Sequence, residues 1–299
     1  MATKILTESI PRPVQTYHRT TYPRLAFEKS DFNGHDKTVL ITGGATGIGF
    51  ATAKAFAKAG VQRIVIVSRS PEPQKKARAE LEATFAKLQV KTHSASVTDY
   101  GRMAEILRET GRIDILVLSA MADHPFTPVH EVSTDKLDEV FQMNVIAQFD
   151  LIKSFLALPM PDHSQKTVLA INTLAAQTVL PGLVGYGSSK AAMLHVLQHF
   201  ADQESTKAVG ERAKFVSYHP GVIWTENVAK MLPPGAPWPE GVEWEDIQLP
   251  ANFAVWLAGP QSDFLHGRFV WAQWDVEELI ALKEKVEKEP NFLRLGLVL

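Results

Sequence analysis

Short apolar runs rich in β-branched residues alternate along this chain with longer stretches whose apolar positions recur every three or four residues. The short runs cover 38–42, 63–67, 90–95, 113–119, 167–172, 214–218 and 268–271. Between them lie helical patterns over 50–59, 74–88, 100–109 and 133–158, and a later one that carries Tyr186 and Lys190. This alternation predicts a parallel sheet with helices on both faces, here a doubly wound, seven-stranded α/β fold. Ligands in such sheets sit beyond the carboxyl ends of the strands. No internal repeat or low-complexity stretch breaks the order, so a single domain is expected.

Composition removes several classes of function. The 299 residues suffice for one large core, and 45% hydrophobic with 21% charged residues is ordinary for a globular protein. Because 31 Lys and Arg nearly balance 33 Asp and Glu, no overall charge draws the chain to nucleic acid. No run approaches the roughly 20 apolar residues of a membrane span. The lack of cysteine excludes disulfides, thiol catalysis and thiolate-bound metals, and a cytoplasmic location is the expectation. His195 and His199 lie four apart on a helical stretch, but nothing else converges on them, so no metal site is expected.

Two segments depart from the alternation. Residues 1–35 carry Pro11, Pro13, Tyr17, His18, Tyr22 and Pro23 without a continuous apolar core, which reads as an extended arm laid on the domain or on a second subunit. Residues 224–250 contain Pro233, Pro234, Pro237, Trp238, Pro239, Trp244 and Pro250, a stiff aromatic insert.

The candidate chemistry sits in two motifs. The first strand runs straight into Gly43-Gly44-Ala45-Thr46-Gly47-Ile48-Gly49 and then into an Ala-rich helix. Glycines there let the backbone turn sharply and approach a pyrophosphate, while the helix N-terminus offers free N–H groups to the anion. Further on, Tyr186-Gly187-Ser188-Ser189-Lys190 places a phenol and an ammonium four apart, on one helix face. A cation near a phenol favours its ionised form, which makes the pair a candidate for proton transfer.

Thr42 to Gly49, followed by Tyr186-x-x-x-Lys190, resembles the short-chain dehydrogenase/reductase family, over about Lys37 to Asp275. The resemblance implies a Rossmann-type fold and a dinucleotide held by Gly43, Thr46, Gly47, Ile48 and Gly49. Twenty residues after Gly49, where an acid would hold the ribose of NAD, stand Ser68 and Arg69, so NADP(H) is the expected cofactor. Ser96 and Val97 take the place of the family's adenine-side residues, with Asp99 a helix cap. Ser119 and Ala120 leave room for the adenosine ribose, although Met121 departs from the family's pattern. Pro220, Gly221, Val222 and Thr225 match the nicotinamide-side loop, with the Val222 backbone and the Thr225 hydroxyl expected on the carboxamide. His219, a strand-end histidine beside a proline, is read as structural.

In the mechanism that the resemblance implies, Tyr186 exchanges a proton with a carbonyl or alcohol oxygen, and Lys190 lowers the Tyr pKa and holds the nicotinamide ribose. The family's substrate-orienting hydroxyl lies thirteen residues before the Tyr, at Thr173 here, and a one-residue change in the length of the loop from Leu174 to Pro181 would leave Thr178 or no hydroxyl in place. Asn144 resembles the family's Asn that props open a helix and holds a water on the Lys190 proton path. The insert at 224–250 falls where the family places a variable substrate lid, which suits a hydrophobic carbonyl substrate or the corresponding alcohol. Family members pair through the helices at 133–158 and 185–205, so a homodimer or homotetramer is expected, with Met193, Leu194, Val196, Leu197 and Phe200 extending that surface. The whole is similar to fungal members that act in specialised metabolism. Two other readings share the motifs: a catalytically idle NADPH-binding protein, and a redox-neutral, cyclase-like use of the scaffold.

Overall fold

The computed structural model describes residues 10, 12–26, 29–122, 126–161, 165–208, 210–231 and 243–296. Seven strands form one sheet: β1 (Thr38–Thr42), β2 (Arg63–Ser68), β3 (Gln89–Ser94), β4 (Ile115–Leu118), β5 (Thr167–Ile171), β6 (Lys214–His219) and β7 (Arg268–Trp271). Their spatial order is β3-β2-β1-β4-β5-β6-β7 and every pair is parallel. The strand order reverses beside β1, so a crevice opens between the carboxyl ends of β1 and β4.

Helices cover both faces: α1 (Gly47–Lys58), α2 (Pro71–Thr84), α3 (Tyr100–Thr110), α4 (Thr134–Phe141), α5 (Ala147–Ala157), α6 (Val184–Glu204), α7 (Glu226–Met231), α8 (Gln248–Ala258), α9 (Val276–Ala281) and α10 (Lys283–Lys288). One core joins Val39, Ile41, Ile64 and Ile66 of the sheet to Phe56 of α1 and to Phe253 and Trp256 of α8. The opposite core joins Leu40, Val65, Leu116 and Val168 to Ile106 of α3, Phe155 of α5 and Leu197 of α6. Successive residues of a strand therefore enter different cores, which is why β1 and β4 are buried at every position rather than alternately. Each such side chain, fully buried, contributes about 1.5–3 kcal/mol.

The helix that the sequence predicts over 133–158 runs from Thr134 to Ala157, with one wider turn inside it. A π-helical turn, Gln142–Ile146, separates α4 from α5. Asn144, at its centre, is 2% exposed and turns its amide to two partners off the helix. A side chain recruited in this way competes with the regular ladder and admits the extra residue of the wider turn.

Residues 12–26 of the N-terminal arm lie along the domain itself. Val14 and Leu25 are buried in the first core, and Tyr17 forms an antiparallel bridge with Trp274. Of the aromatic insert, the stretch 232–242 with Pro233, Pro234, Pro237, Trp238 and Pro239 lies outside the described residues, as do residues 1–9 of the arm. The association surface expected on α6 is smaller than the sequence suggests. Met193, Leu194 and Leu197 are spent on the two cores, and only Val196 and Phe200 remain partly exposed. Among the described residues no helix is long and apolar enough to cross a membrane.

Candidate active site

The turn after β1 is built by close approach. Gly43 has φ +67°, and a Cβ on Gly49 would lie 2.5 Å from the Gly43 carbonyl oxygen and 2.9 Å from Ser119 Oγ. Both positions exclude a side chain, one by conformation and one by space. Thr46 is the N-cap of α1, yet its side chain makes no capping bond. The first turn of α1 thus has no side-chain cap on its N–H groups, which suits an anion at this end of the helix. Across the crevice Gly47 meets Thr225, whose Cγ2 would be 3.5 Å from a Cβ at Gly47. Thr42 ties the turn to the end of β4, its Oγ1 accepting from the N–H groups of Ser119 (3.1 Å) and Ala120 (3.2 Å).

At the end of β2, Ser68 is half-buried and Arg69 exposed, and the following helix starts from Ser70 with no side-chain cap. No carboxylate stands in Ser68-Arg69-Ser70. Beyond β3, Val97 is buried, Ser96 Oγ shares a 2.7 Å hydrogen bond with Thr98 Oγ1, and Asp99 caps α3 through the Arg102 N–H. Asp99 thus has the capping role expected of it.

Tyr186 and Lys190 lie one turn apart at the start of α6, where the helix faces the end of β5. The Thr173 hydroxyl is the one that lies near enough to the Tyr186 phenol to act on it. Burial pushes the phenol above its ordinary pKa and the Thr173 hydroxyl pulls it back. Lys190 follows one turn along the same helix. Its Nζ lies 6.0 Å from the ring centroid and donates to the Ile171 carbonyl at 3.0 Å. Burial pushes the Lys190 ammonium itself down to about 8.

Asn144 joins this group through Ser189. Its Nδ2 donates to Ser189 Oγ at 3.0 Å, Ser189 donates to the Tyr186 carbonyl at 2.9 Å, and Asn144 Oδ1 accepts the Ala122 N–H at 2.9 Å. Asn172, which no motif singled out, accepts the Thr173 N–H at 2.9 Å and donates to the Lys190 carbonyl at 3.3 Å. It fixes the strand end that carries Thr173 against the helix that carries Tyr186. The adjacency of Asn172 to Thr173 was the available signal.

His219 is buried, its Nδ1 accepts the Leu174 N–H at 3.3 Å, and burial pushes its pKa down to about 3. A neutral, packed imidazole agrees with its structural reading. His195 and His199 pack edge to face at 4.8 Å, and among the described residues no three side chains gather to hold a metal.

The loop after β6 departs from expectation at one atom. Gly221 has φ +102°, and the Val222 N–H is given to Glu245 Oε2 at 2.6 Å while the Val222 carbonyl accepts the Glu245 N–H at 3.1 Å. That N–H is committed inside the protein. Thr225 Oγ1 accepts the Val228 N–H at 3.3 Å, capping α7. Glu245 was not visible from the sequence because it lies 23 residues beyond its partner.

A parallel sheet with its glycine turn at the switch point, and a Thr-Tyr-Lys cluster at the end of β5, now stand on one crevice. The family profile for short chain dehydrogenase matches residues 37–234. The chain belongs to the short-chain dehydrogenase/reductase family. It is therefore an oxidoreductase by family. The chain is 48% identical to the short chain dehydrogenase/reductase nsrO of Aspergillus novofumigatus, over 98% of this chain and 99% of that one. It is 46% identical to AacuD of Aspergillus aculeatus, also a short chain dehydrogenase/reductase, over 97% and 98% of the two chains. Among solved structures, a short chain dehydrogenase from Burkholderia cenocepacia in complex with NADP matches with a TM-score of 0.68 at 21% identity. That match covers 80% of this chain and 97% of the other. The bacterial likeness is one of fold, while the fungal relatives extend along nearly the whole chain.

Proposed function

We propose that this short-chain dehydrogenase/reductase reduces a carbonyl group of a hydrophobic small molecule with NADPH, or runs the reverse oxidation of the secondary alcohol with NADP. The observation that carries this reading is the Tyr186 phenol with Lys190 one turn further along the same helix and the Thr173 hydroxyl beside it at the end of β5. The Gly49 approach and the open N-terminus of α1 suit a pyrophosphate, and the exposed Arg69, with no acid beside it, suits a ribose phosphate. The Burkholderia structure's NADP is in keeping with this choice.

NADPH, when bound, supplies the hydride. Tyr186 gives its proton to the oxygen of the carbonyl as charge develops there, and Thr173 shares a hydrogen bond with that same oxygen, fixing its approach. Lys190, with its pKa near the working pH, holds a ribose hydroxyl and restores the proton. Asn144 and Ser189 hold the helix turn that presents Tyr186. Since the Val222 N–H is occupied, the donor for a carboxamide moves to Ile223, whose N–H has no acceptor among the described residues.

The rim of the crevice supports an apolar substrate. Phe126 (52% exposed) packs at Gly182, and Val179 (90% exposed) stands on the neighbouring loop. Exposed Ile146 and Phe149 beside partly exposed Phe200 support pairing of two copies through α5 and α6.

Incubation with NADPH and a panel of aryl and cyclic ketones tests the function. Wild type consumes NADPH and Tyr186→Phe loses on the order of a thousandfold in rate while still binding cofactor. Equal behaviour of the two proteins would instead favour an idle or redox-neutral role.

A further inference from the structure

The N-terminal arm reaches the nicotinamide-side loop through two residues, and both lie outside residues 37–234 that carry the family profile. Three consecutive arm residues are bound in register. Tyr17 bridges to Trp274, the His18 N–H donates to the Gln273 carbonyl at 2.7 Å, and the Arg19 carbonyl accepts the Asp246 N–H at 2.8 Å. With its backbone pinned, Arg19 spreads its guanidinium over the segment that returns from the insert. Nη1 donates to the Glu243 carbonyl at 3.1 Å and to Glu245 Oε1 at 3.3 Å, and Nη2 pairs with the Glu243 carboxylate.

Glu245 is the deeper partner, with a side chain only 2% exposed. One carboxylate oxygen faces Arg19 and the other takes the Val222 N–H at 2.6 Å. Gly221 lies against it: a Cβ there would meet Gln273 Nε2 at 2.6 Å and Glu245 Oε2 at 3.1 Å. A buried carboxylate is tolerated only with compensation, and Arg19 is the cation the structure places on it. Without the arm, the acid that holds Val222 is an uncompensated charge.

We propose that Arg19 and Glu245 are positioning residues for the loop Pro220–Thr225, so that the N-terminal arm sets cofactor affinity by way of the Val222 backbone. This rests on the nicotinamide-side role of that loop given under Proposed function. The arm does so without touching the cofactor. Arg19 neutralises Glu245, Glu245 fixes the Val222 N–H, and the fixed Val222 orients Ile223 and Thr225 beyond it in the loop.

The test uses the full chain as wild type, Arg19→Met, Glu245→Ala, Glu245→Gln and the double variant Arg19→Met/Glu245→Gln. NADPH and NADH titrations are run beside hydrogen–deuterium exchange of the peptide spanning 219–226. Arg19→Met and Glu245→Ala weaken NADPH binding about tenfold and speed exchange of that peptide, since each leaves a buried group unpaired. The double variant returns to within about threefold of wild type, because glutamine keeps an acceptor for Val222 and removes the charge that needed Arg19. An arm that matters only for general stability would not be rescued in this way. Binding and exchange unchanged in Arg19→Met and Glu245→Ala overturn the proposal, as does a double variant no better than Arg19→Met. Exchange behaving as expected while wild type binds neither dinucleotide overturns the cofactor reading and leaves the loop's anchoring established. Thermal melts identify any variant that fails to fold, and Glu245→Gln, the mildest change, then carries the comparison.

Discussion

Replacing Thr173 by valine removes one hydroxyl and almost nothing else, since the β-branched shape is kept. The residue is buried, 9% exposed, and its oxygen has two tasks: it stands beside the Tyr186 phenol, and it accepts the Ala175 N–H at 3.2 Å to cap the short turn 174–176. The two losses fall on different measurements. A hydrogen bond to a group that gains charge in the transition state contributes about 1.5–3 kcal/mol, and loss of an oxyanion donor costs about a hundredfold or more in rate. We therefore expect kcat/KM for ketone reduction to fall on the order of a hundredfold, about 2.7 kcal/mol. The lost cap costs about 1 kcal/mol, or roughly 2–4 °C in Tm for a chain of this size. The Kd for NADPH should stay within about twofold, and Thr173→Ser should retain activity to within about threefold, because serine keeps the donor and acceptor. Single-turnover oxidation of NADPH by an aryl ketone, with a thermal melt alongside, reads both losses. A Thr173→Val rate equal to wild type would refute the orienting role, and Thr173→Ser as slow as Thr173→Val would show that the methyl group, not the hydroxyl, is what the site requires.

Two further outcomes follow from charge. Lys190 is pushed down to about 8 from an ordinary 10.5, so below pH 8 it is charged in both folded and unfolded chains and its burial destabilises the fold. Between about pH 8 and 10.5 the folded protein gives up the proton first, and stability rises with pH. Lys190→Met should thus be more stable than wild type at pH 7 by about 2 kcal/mol after loss of the Ile171 bond, with the gain vanishing by about pH 10.5, while activity is abolished. Urea unfolding at several pH values checks this, and a gain that does not shrink with pH would refute it. Arg69→Ala should weaken NADPH binding about 10–100-fold and leave NADH within about twofold. Wild type that binds NADH as tightly as NADPH would overturn the cofactor preference.

Local patterns made much of the fold legible. Each of the seven strand runs corresponds to an observed strand, with edges shifted by one residue at β2, β3, β5 and β6 and by up to two at β4. Such edges depend on which partner strand continues, not on the run itself. The helix at 133–158 was legible but its π-turn was not, because the apolar spacing survives the turn and the turn follows from where the Asn144 amide finds partners. In the site, Gly43, Gly49, Tyr186 and Lys190 were legible because sharp turns and helix faces are set by near neighbours. The balance of forces on the Tyr186 proton was not, since it depends on burial and on Thr173 from another element.

The sequence by itself determined the alternation of strand and helix, the glycine turn and the spacing of phenol and ammonium, because these rest on interactions between residues a few positions apart. Only the tertiary structure decided that Lys190 faces Ile171, that Asn172 and Ser189 brace the Tyr186 helix, and that Arg19 meets Glu245 across 226 residues. Burial is the physical reason. Desolvation and long-range hydrogen bonds take their value from what the folded chain places around a group, and no local pattern records it.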